Sequence, residues 1–386
     1  MTATHTDDPW TAEILDHAAQ AVGAPDLIRL RPGLFALRFE VMKVRSARGA
    51  VQHLLAQGKI RPGDTVVDSS SGIYALALAL ACHEAGLRCM IVGSTTVDET
   101  LRLQLGMLGA RLEQMPPSDC LRADQDRRVA RIRELLAEHP DWHWRRQYHD
   151  AVHYRGYRDL ALGLGERLRR EGFKGVDLVA PVGSGASSGA LALGLAESGL
   201  AVRLTGVQPF GSVTFGSEAV EDPDMLIAGI GSSMEFRNVR HELYREIHWV
   251  SAEVSRAGAV SLCRDHALFA GLSSGAAYAV AGDLPRGTTP PRRGPASAHP
   301  GAAHLAPEPG QGDRAAPARE RRGPRTPRCV LMVCPDTGHR YAQPVFSGFE
   351  EVPPVTDYAP HRLEAPGETP RLPWSSVHWG GEVPSS

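Results

Sequence analysis

Twice in this chain a short Val/Leu-rich segment runs into a turn of glycine and serine, and then into an apolar helix-forming stretch. The first is "DTVVDSSSGIYALALALACHEAG", Asp64–Gly86; the second is "VDLVAPVGSGASSGALALGLAESG", Val176–Gly199. Strands that are apolar along their length, rather than alternating, are covered on both faces, as in a parallel sheet between helical layers. The segments Leu87–Gly93 and Ala201–Pro209 read as further strands, and Thr96–Ala110 as a helix. The fold class expected is therefore α/β, with strands and helices alternating. The 42% apolar content over 386 residues supports a sizeable core, in one large domain or two moderate ones.

The turns carry chemistry. Gly183, Ser184, Gly185, Ala186 and Ser187 stand between a strand and a helix. Small residues let backbone approach a ligand, and the free N–H groups at a helix start bind anions. A dinucleotide loop would need an acidic residue roughly 20 residues on. The next strand ends in Gly206, Val207 and Gln208, with no carboxylate, and the turn lacks a P-loop lysine. A single phosphate monoester fits better; a tight turn binding nothing is the plain alternative. Ser70, Ser71 and Gly72 form a second such turn, suited to a carboxylate, and "FAGLSSGAAYAVAG" (Phe269–Gly282) a third.

Lys43 adds a reactive group. In "FEVMKVRSARGAVQHLLAQGKI" (Phe39–Ile60) it follows Val41 and Met42 and precedes Ala47, Ala50, Val51, Leu54 and Leu55, which recur at helical spacing. A helix N-terminus disfavours a cation, and apolar neighbours penalise the charged form. Both favour a neutral amine, as a Schiff-base lysine requires. An exposed lysine at a loop–helix junction is the alternative. A tunable lysine, a phosphate cup and a carboxylate turn together suit pyridoxal 5′-phosphate, which has both an aldehyde and a phosphate.

In order along the chain, "MKVRSARGA", "SSGIYALALA", "QYHDAVHYRGY", "APVGSGASSGALALGL", "GLSSGAA" and "PDTGHRY" resemble the motifs of the fold-type II pyridoxal-phosphate enzymes, within them the cysteine synthase and cystathionine beta-synthase branch. The resemblance runs from about Asp26 to Tyr341. It implies two three-layer α/β domains, tryptophan synthase beta-like, with the cofactor between them. It implies that Lys43 links to the cofactor aldehyde and moves the substrate Cα proton. Gly183, Ser184, Gly185, Ala186 and Ser187 then hold the phosphate, and Ser273 faces the pyridine nitrogen, a role that Asp336 or Thr337 could take instead. Ser70, Ser71 and Gly72 bind the substrate carboxylate, with Gln147 contributing.

The implied activity is β-elimination and β-replacement on a serine-derived amino acid such as O-acetylserine or O-phosphoserine, through an aminoacrylate, including synthesis of non-protein amino acids. A serine/threonine dehydratase or lyase is the alternative, and a catalytically impaired binding protein another. Four departures bear on that choice. Ile73 replaces the asparagine expected against the ring hydroxyl, "FEVM" shortens the loop before the lysine, Val44 replaces an aspartate, and Ala186 a glycine.

The expected organisation is a smaller mobile domain at 45–146 and a larger cofactor domain from 1–44, 147–283 and 329–350. The Pro/Arg/Gly-rich stretch 284–328 reads as a disordered insert, and 351–386 as a tail on or off the surface. Net charge is −2 with mixed signs, which gives no electrostatic case for nucleic acid or an anionic membrane. Six cysteines without a CxxC pair and an N-terminus without a signal-peptide build point to the cytoplasm. A homodimer is expected. His149 and His153 have helical metal-ligand spacing but no third ligand, so no metal is expected. Cys263 and Cys334 read as core residues, and Arg128–His139 as a charged helix with a solvated face and one buried stripe.

Overall fold

A computed structural model of the protein describes residues 14–118, 121–224, 229–285 and 326–384. The first half contains α1 (Ala18–Val22), β1 (Asp26–Arg31), β2 (Leu34–Arg38), α2 (Lys43–Ala56), β3 (Thr65–Ser69), α3 (Ile73–Glu84), β4 (Arg88–Gly93), α4 (Glu99–Met107), β5 (Arg111–Gln114), α5 (Leu121–Glu138) and β6 (His143–Trp144). The second contains α6 (Arg155–Arg170), β7 (Gly175–Pro181), α7 (Ala186–Glu197), β8 (Ala201–Gln208), β9 (Tyr244–Val250), α8 (Ala252–His266), α9 (Leu272–Asp283), β10 (Arg328–Cys334), α10 (Ala342–Phe346), β11 (His361–Arg362) and β12 (Trp374–His378).

These strands form two sheets. The smaller runs β5-β4-β3-β6 and is parallel throughout. The larger runs β1-β2-β10-β7-β8-β9-β12-β11, with parallel pairing from β2 to β9. The hairpin β1–β2 closes one edge and the antiparallel β12 covers β9 near the other. β3, with Val66 and Val67, and β7, with Val176, Leu178 and Val179, bury these residues almost completely, as non-alternating strands should.

The helices follow the same logic. α3, α7 and α9 are rich in Ala and Leu on every side and are buried against the sheets. α6 is amphipathic: Tyr157, Ala161, Leu164 and Leu168 are buried at spacings of three and four, and the last turn carries Arg167, Arg169 and Arg170. α2 and α6 cross at glycines, where a Cβ on Gly49 would strike the Gly156 backbone and one on Gly156 the Arg45 carbonyl.

Contrary to expectation, the C-terminal segment does not merely lie on the surface. Trp374–Val377 is buried in β12, and Trp374 Nε1 donates to His248 Nδ1 at 3.0 Å. The charged helix α5 has the one buried stripe expected, formed by Arg128, Ile132 and Leu135. The stretch 286–325 and Cys120 lie outside the described residues, while Arg328, read as the end of the insert, already opens β10.

Candidate active site

Lys43 is the first residue of α2, and its approach is clamped by the segment after β10, the strand beside β2, and by α6. Met42 N donates to Pro335 O at 2.8 Å, Tyr157 Oη to Met42 O at 3.1 Å, and Val41 bridges to Asp336. These bonds fix the half-buried lysine at the wall of a cavity. Burial pulls its amine down to about 8, partly opposed by the Asp336 carboxylate. Asp336 is itself pushed up to about 6 by burial. Tyr341 Oη donates to its Oδ2 at 2.8 Å, and its Oδ1 is buried with no hydrogen-bond partner.

Opposite the lysine, β7 ends in the Gly183–Ser187 turn. Gly185 has φ +80, a left-handed backbone that glycine adopts at no steric cost, and a Cβ there would lie 2.5 Å from Asn238 O. A Cβ on Gly183 would strike Gly229 O. Gly189 N makes the first helical bond of α7 to Gly185 O, so the amides before it at the helix start have no intrahelical acceptor. Ser188 Oγ bonds Gly185 O at 3.1 Å and Tyr244 Oη at 2.7 Å, which braces the turn from behind.

Lys43, Gln147, Gly183, Ser184, Ser187 and Ser273 line one cavity. It opens into a wider space of about 430 Å³ that adds Ser70, Ser71 and Gly72. Gly185 and Ala186 build the turn but do not face the cavity, and neither does Thr337, whereas Asp336 does. The Ser70–Gly72 turn is internally occupied. Ser70 Oγ accepts from Gly72 N at 3.3 Å, and Ser71 Oγ from Ser94 N at 2.8 Å. Gln147 Nε2 donates to Ser69 O at 3.1 Å, which leaves its amide oxygen as the unengaged end. Ile73 stands in the wall with no group able to hydrogen-bond.

Several contributing residues were not singled out from the sequence. Asp68, next to last in β3, is fully buried, pushed up to about 6 by burial, and accepts from Ser69 N, Trp144 Nε1 and Gln147 N at 2.8, 3.0 and 3.2 Å. It fastens the Gln147 segment to the small sheet. A carboxylate inside a Val-rich strand was the available signal. Arg128 Nη1 donates to Ser69 Oγ at 2.6 Å while its Nε is held by Asp124 at 2.9 Å. Arg340 Nη2 reaches Asp98 Oδ2 at 2.9 Å, tying the segment after β10 to the N-cap of α4. Of the two histidines at metal-ligand spacing, which the sequence did single out, His153 is buried between Ser46 Oγ at 3.1 Å and Arg145 O at 2.9 Å, so both ring nitrogens are taken up structurally.

Residues 38–292 match the family described as pyridoxal-phosphate dependent enzymes. The chain belongs to this family. Among curated proteins it is 30% identical over 256 residues to an N-(2-amino-2-carboxyethyl)-L-glutamate synthase of Ralstonia nicotianae, covering 65% of this chain and 73% of that one. A protein of the same description from Cupriavidus metallidurans is 32% identical over 244 residues, 62% and 69% of the two chains. Among solved structures, the O-acetylserine dependent cystathionine beta-synthase of Helicobacter pylori superposes with a TM-score of 0.65 at 21% identity, over 86% of this chain and 98% of that one. An O-ureido-L-serine synthase gives 0.66 at 19% identity, over 88% and 97%. The fold is thus that of the fold-type II enzymes, and the chain is a pyridoxal-phosphate-dependent enzyme.

The site fits that cofactor. Only glycine is accommodated at positions 183 and 185, the helix amides of α7 are open, and a lysine with a depressed pKa lines the same cavity. The cavity volume is in the range of ordinary small-molecule sites.

Proposed function

We propose that this enzyme performs β-replacement on a serine-derived amino acid and joins the product carbon to an amine. The leaving group departs from Cβ with its electron pair, a new bond forms from Cβ to the nucleophile, and the nucleophile's proton is released. The observation that carries the reading is the placement of Lys43, half-buried and with a depressed pKa, in the cavity walled by the Gly183–Ser187 turn. The curated relatives add the choice of nucleophile. The compound in their name, N-(2-amino-2-carboxyethyl)-L-glutamate, has its aminocarboxyethyl group on the nitrogen of glutamate.

Bound pyridoxal 5′-phosphate supplies an aldehyde and an electron-withdrawing ring that takes up the electron pair of the substrate Cα–H bond. The protein's residues do the rest. The Gly183–Ser187 turn binds the phosphate through backbone amides and serine hydroxyls. Lys43 holds the cofactor and moves the Cα proton. Ser70, Ser71 and Gly72 receive the substrate carboxylate, and Gln147 orients the substrate through its amide oxygen. Ser273 meets the ring nitrogen, and Asp336 sets the charge beside Lys43. Ile73 leaves the ring hydroxyl without a partner on that side.

The smaller unit, 45–146, is proposed to close over substrate, with 1–44, 147–283 and 329–350 as the larger cofactor unit. Asp98–Arg340 and Gln125–Ser233 are its contacts at the cavity mouth. No helix among the described residues is long and apolar enough to cross a membrane. We further propose a cytoplasmic homodimer, without nucleic-acid partners. The decisive experiment incubates the purified holoenzyme with O-acetylserine or O-phosphoserine and glutamate, sulfide or a thiol, and identifies products by mass spectrometry. A β-substituted amino acid is expected. Pyruvate and ammonia alone, with every nucleophile, would replace this reading with a lyase.

A further inference from the structure

A second cavity of about 350 Å³ lies where α2 crosses α6, and its wall is dominated by arginines 45, 48, 155 and 158. Their charges are unequally met. Arg48 is paired with Glu84 at 2.5 Å, and Arg158 is engaged by Glu197. Arg45 and Arg155 form no ion pair with a described residue, and Arg45 Nε is buried with no hydrogen-bond partner. Asp159 is the one carboxylate in the wall. Burial lowers the affinity of Arg45 for its proton, Tyr157 and Asp159 oppose this, and Arg48 adds to it. A guanidinium that lines a cleft without an ion-pair partner is best satisfied by a bidentate oxyanion.

We infer that this cleft binds a small phosphorylated metabolite, its phosphate seated between Arg45 and Arg155. The space exceeds that of a bare phosphate and admits a short organic part. The site is separate from the cavity around Lys43, yet the two share a helix. Arg45 lies two residues after Lys43, and its carbonyl packs on Gly156 of α6. A ligand bridging the two arginines would brace α2 against α6 and so fix the helix start that presents the lysine. This makes the cleft a regulatory site, and its existence does not depend on which β-substituent the enzyme exchanges.

The test uses holoenzyme saturated with cofactor, so that the Gly183–Ser187 turn is filled, and titrates pyrophosphate calorimetrically at fixed ionic strength. One site per chain is expected. Arg155→Glu, an exposed position, should weaken it at least about tenfold. Arg170→Glu, the same charge change at the far end of α6, should not. Hydrogen exchange on the unaltered protein should show pyrophosphate protecting 45–53 and 155–159. Absence of saturable heat, equal losses in both variants, or protection elsewhere would each overturn the inference.

Discussion

The two glycine-serine turns have similar sequences and opposite states. The Gly183–Ser187 turn is held from behind by Ser188 and Tyr244, and closed in by Gly229 and Asn238, while the amides at the start of α7 stay open. The Ser70–Gly72 turn spends its hydroxyls on its own backbone and on Ser94, and a Cβ at Gly72 would meet nothing within 4 Å. One turn is ready for a ligand as it stands. In the other, Gly72 N is already taken by Ser70 Oγ, while the two serine hydroxyls, acting as acceptors, keep their protons to donate. This division suits a cofactor that stays and a substrate that comes and goes.

The largest effect expected isolates the first turn from the lysine. Lys43→Ala should reduce turnover by roughly 10²–10⁴-fold or more. The cofactor should still bind through its phosphate, but without the absorbance of a lysine-linked aldehyde. Loss of both together would mean that the turn cannot hold the phosphate alone.

Next, Gly185→Ala should weaken cofactor binding by roughly 10–100-fold, because it adds left-handed strain and a clash with Asn238 O. Gly72→Ala should leave cofactor affinity unchanged. Equal losses by fluorescence titration would erase the contrast between the turns.

Arg128→Ala should act on the second turn only. It removes a charge-assisted bond to Ser69, worth about 1.5–3 kcal/mol. The KM for the amino-acid donor should rise roughly tenfold, with cofactor affinity unchanged.

A pH experiment sharpens the cofactor side. Lys43 with a pKa of about 8 is protonated below that pH and neutral above it. The rate of cofactor capture by apoenzyme should therefore rise through about pH 8. The Asp336 carboxylate favours the charged amine, so Asp336→Asn should move this midpoint to lower pH. Stability has the same origin. Between about 8 and the ordinary lysine value the unfolded chain binds more protons, so the cost of burying Lys43 is relieved as pH rises across that window.

The smallest effect is at the mouth. Arg340→Ala breaks a partly exposed pair with Asp98, worth about 0–1 kcal/mol. A less than about fivefold rise in donor KM is expected, shrinking in high salt.

Much of this was legible in the sequence because it rests on local pattern. Val-rich strands and small-residue turns announce β3, β7 and the helices after them. What escaped depends on partners distant in sequence. β12 follows a proline-rich stretch, and its pairing with β9 and β11 makes it a strand. Arg128 looked like one charge among many until Ser69, 59 residues away, gave it a buried acceptor. The unengaged Oδ1 of Asp336 is a property of its enclosure, which no spacing encodes.

The position of β10 has a kinetic consequence. It pairs with β2 on one side and β7 on the other, yet it is made after β8, β9 and α9. A nascent polypeptide emerging from a ribosome would have every segment that walls the Lys43 cavity except the one bearing Pro335 and Asp336, and would lack the ladder joining its opening hairpin to the remaining strands. Vitamin capture should accordingly be a late event in biogenesis, delayed until residue 336 has cleared the exit tunnel.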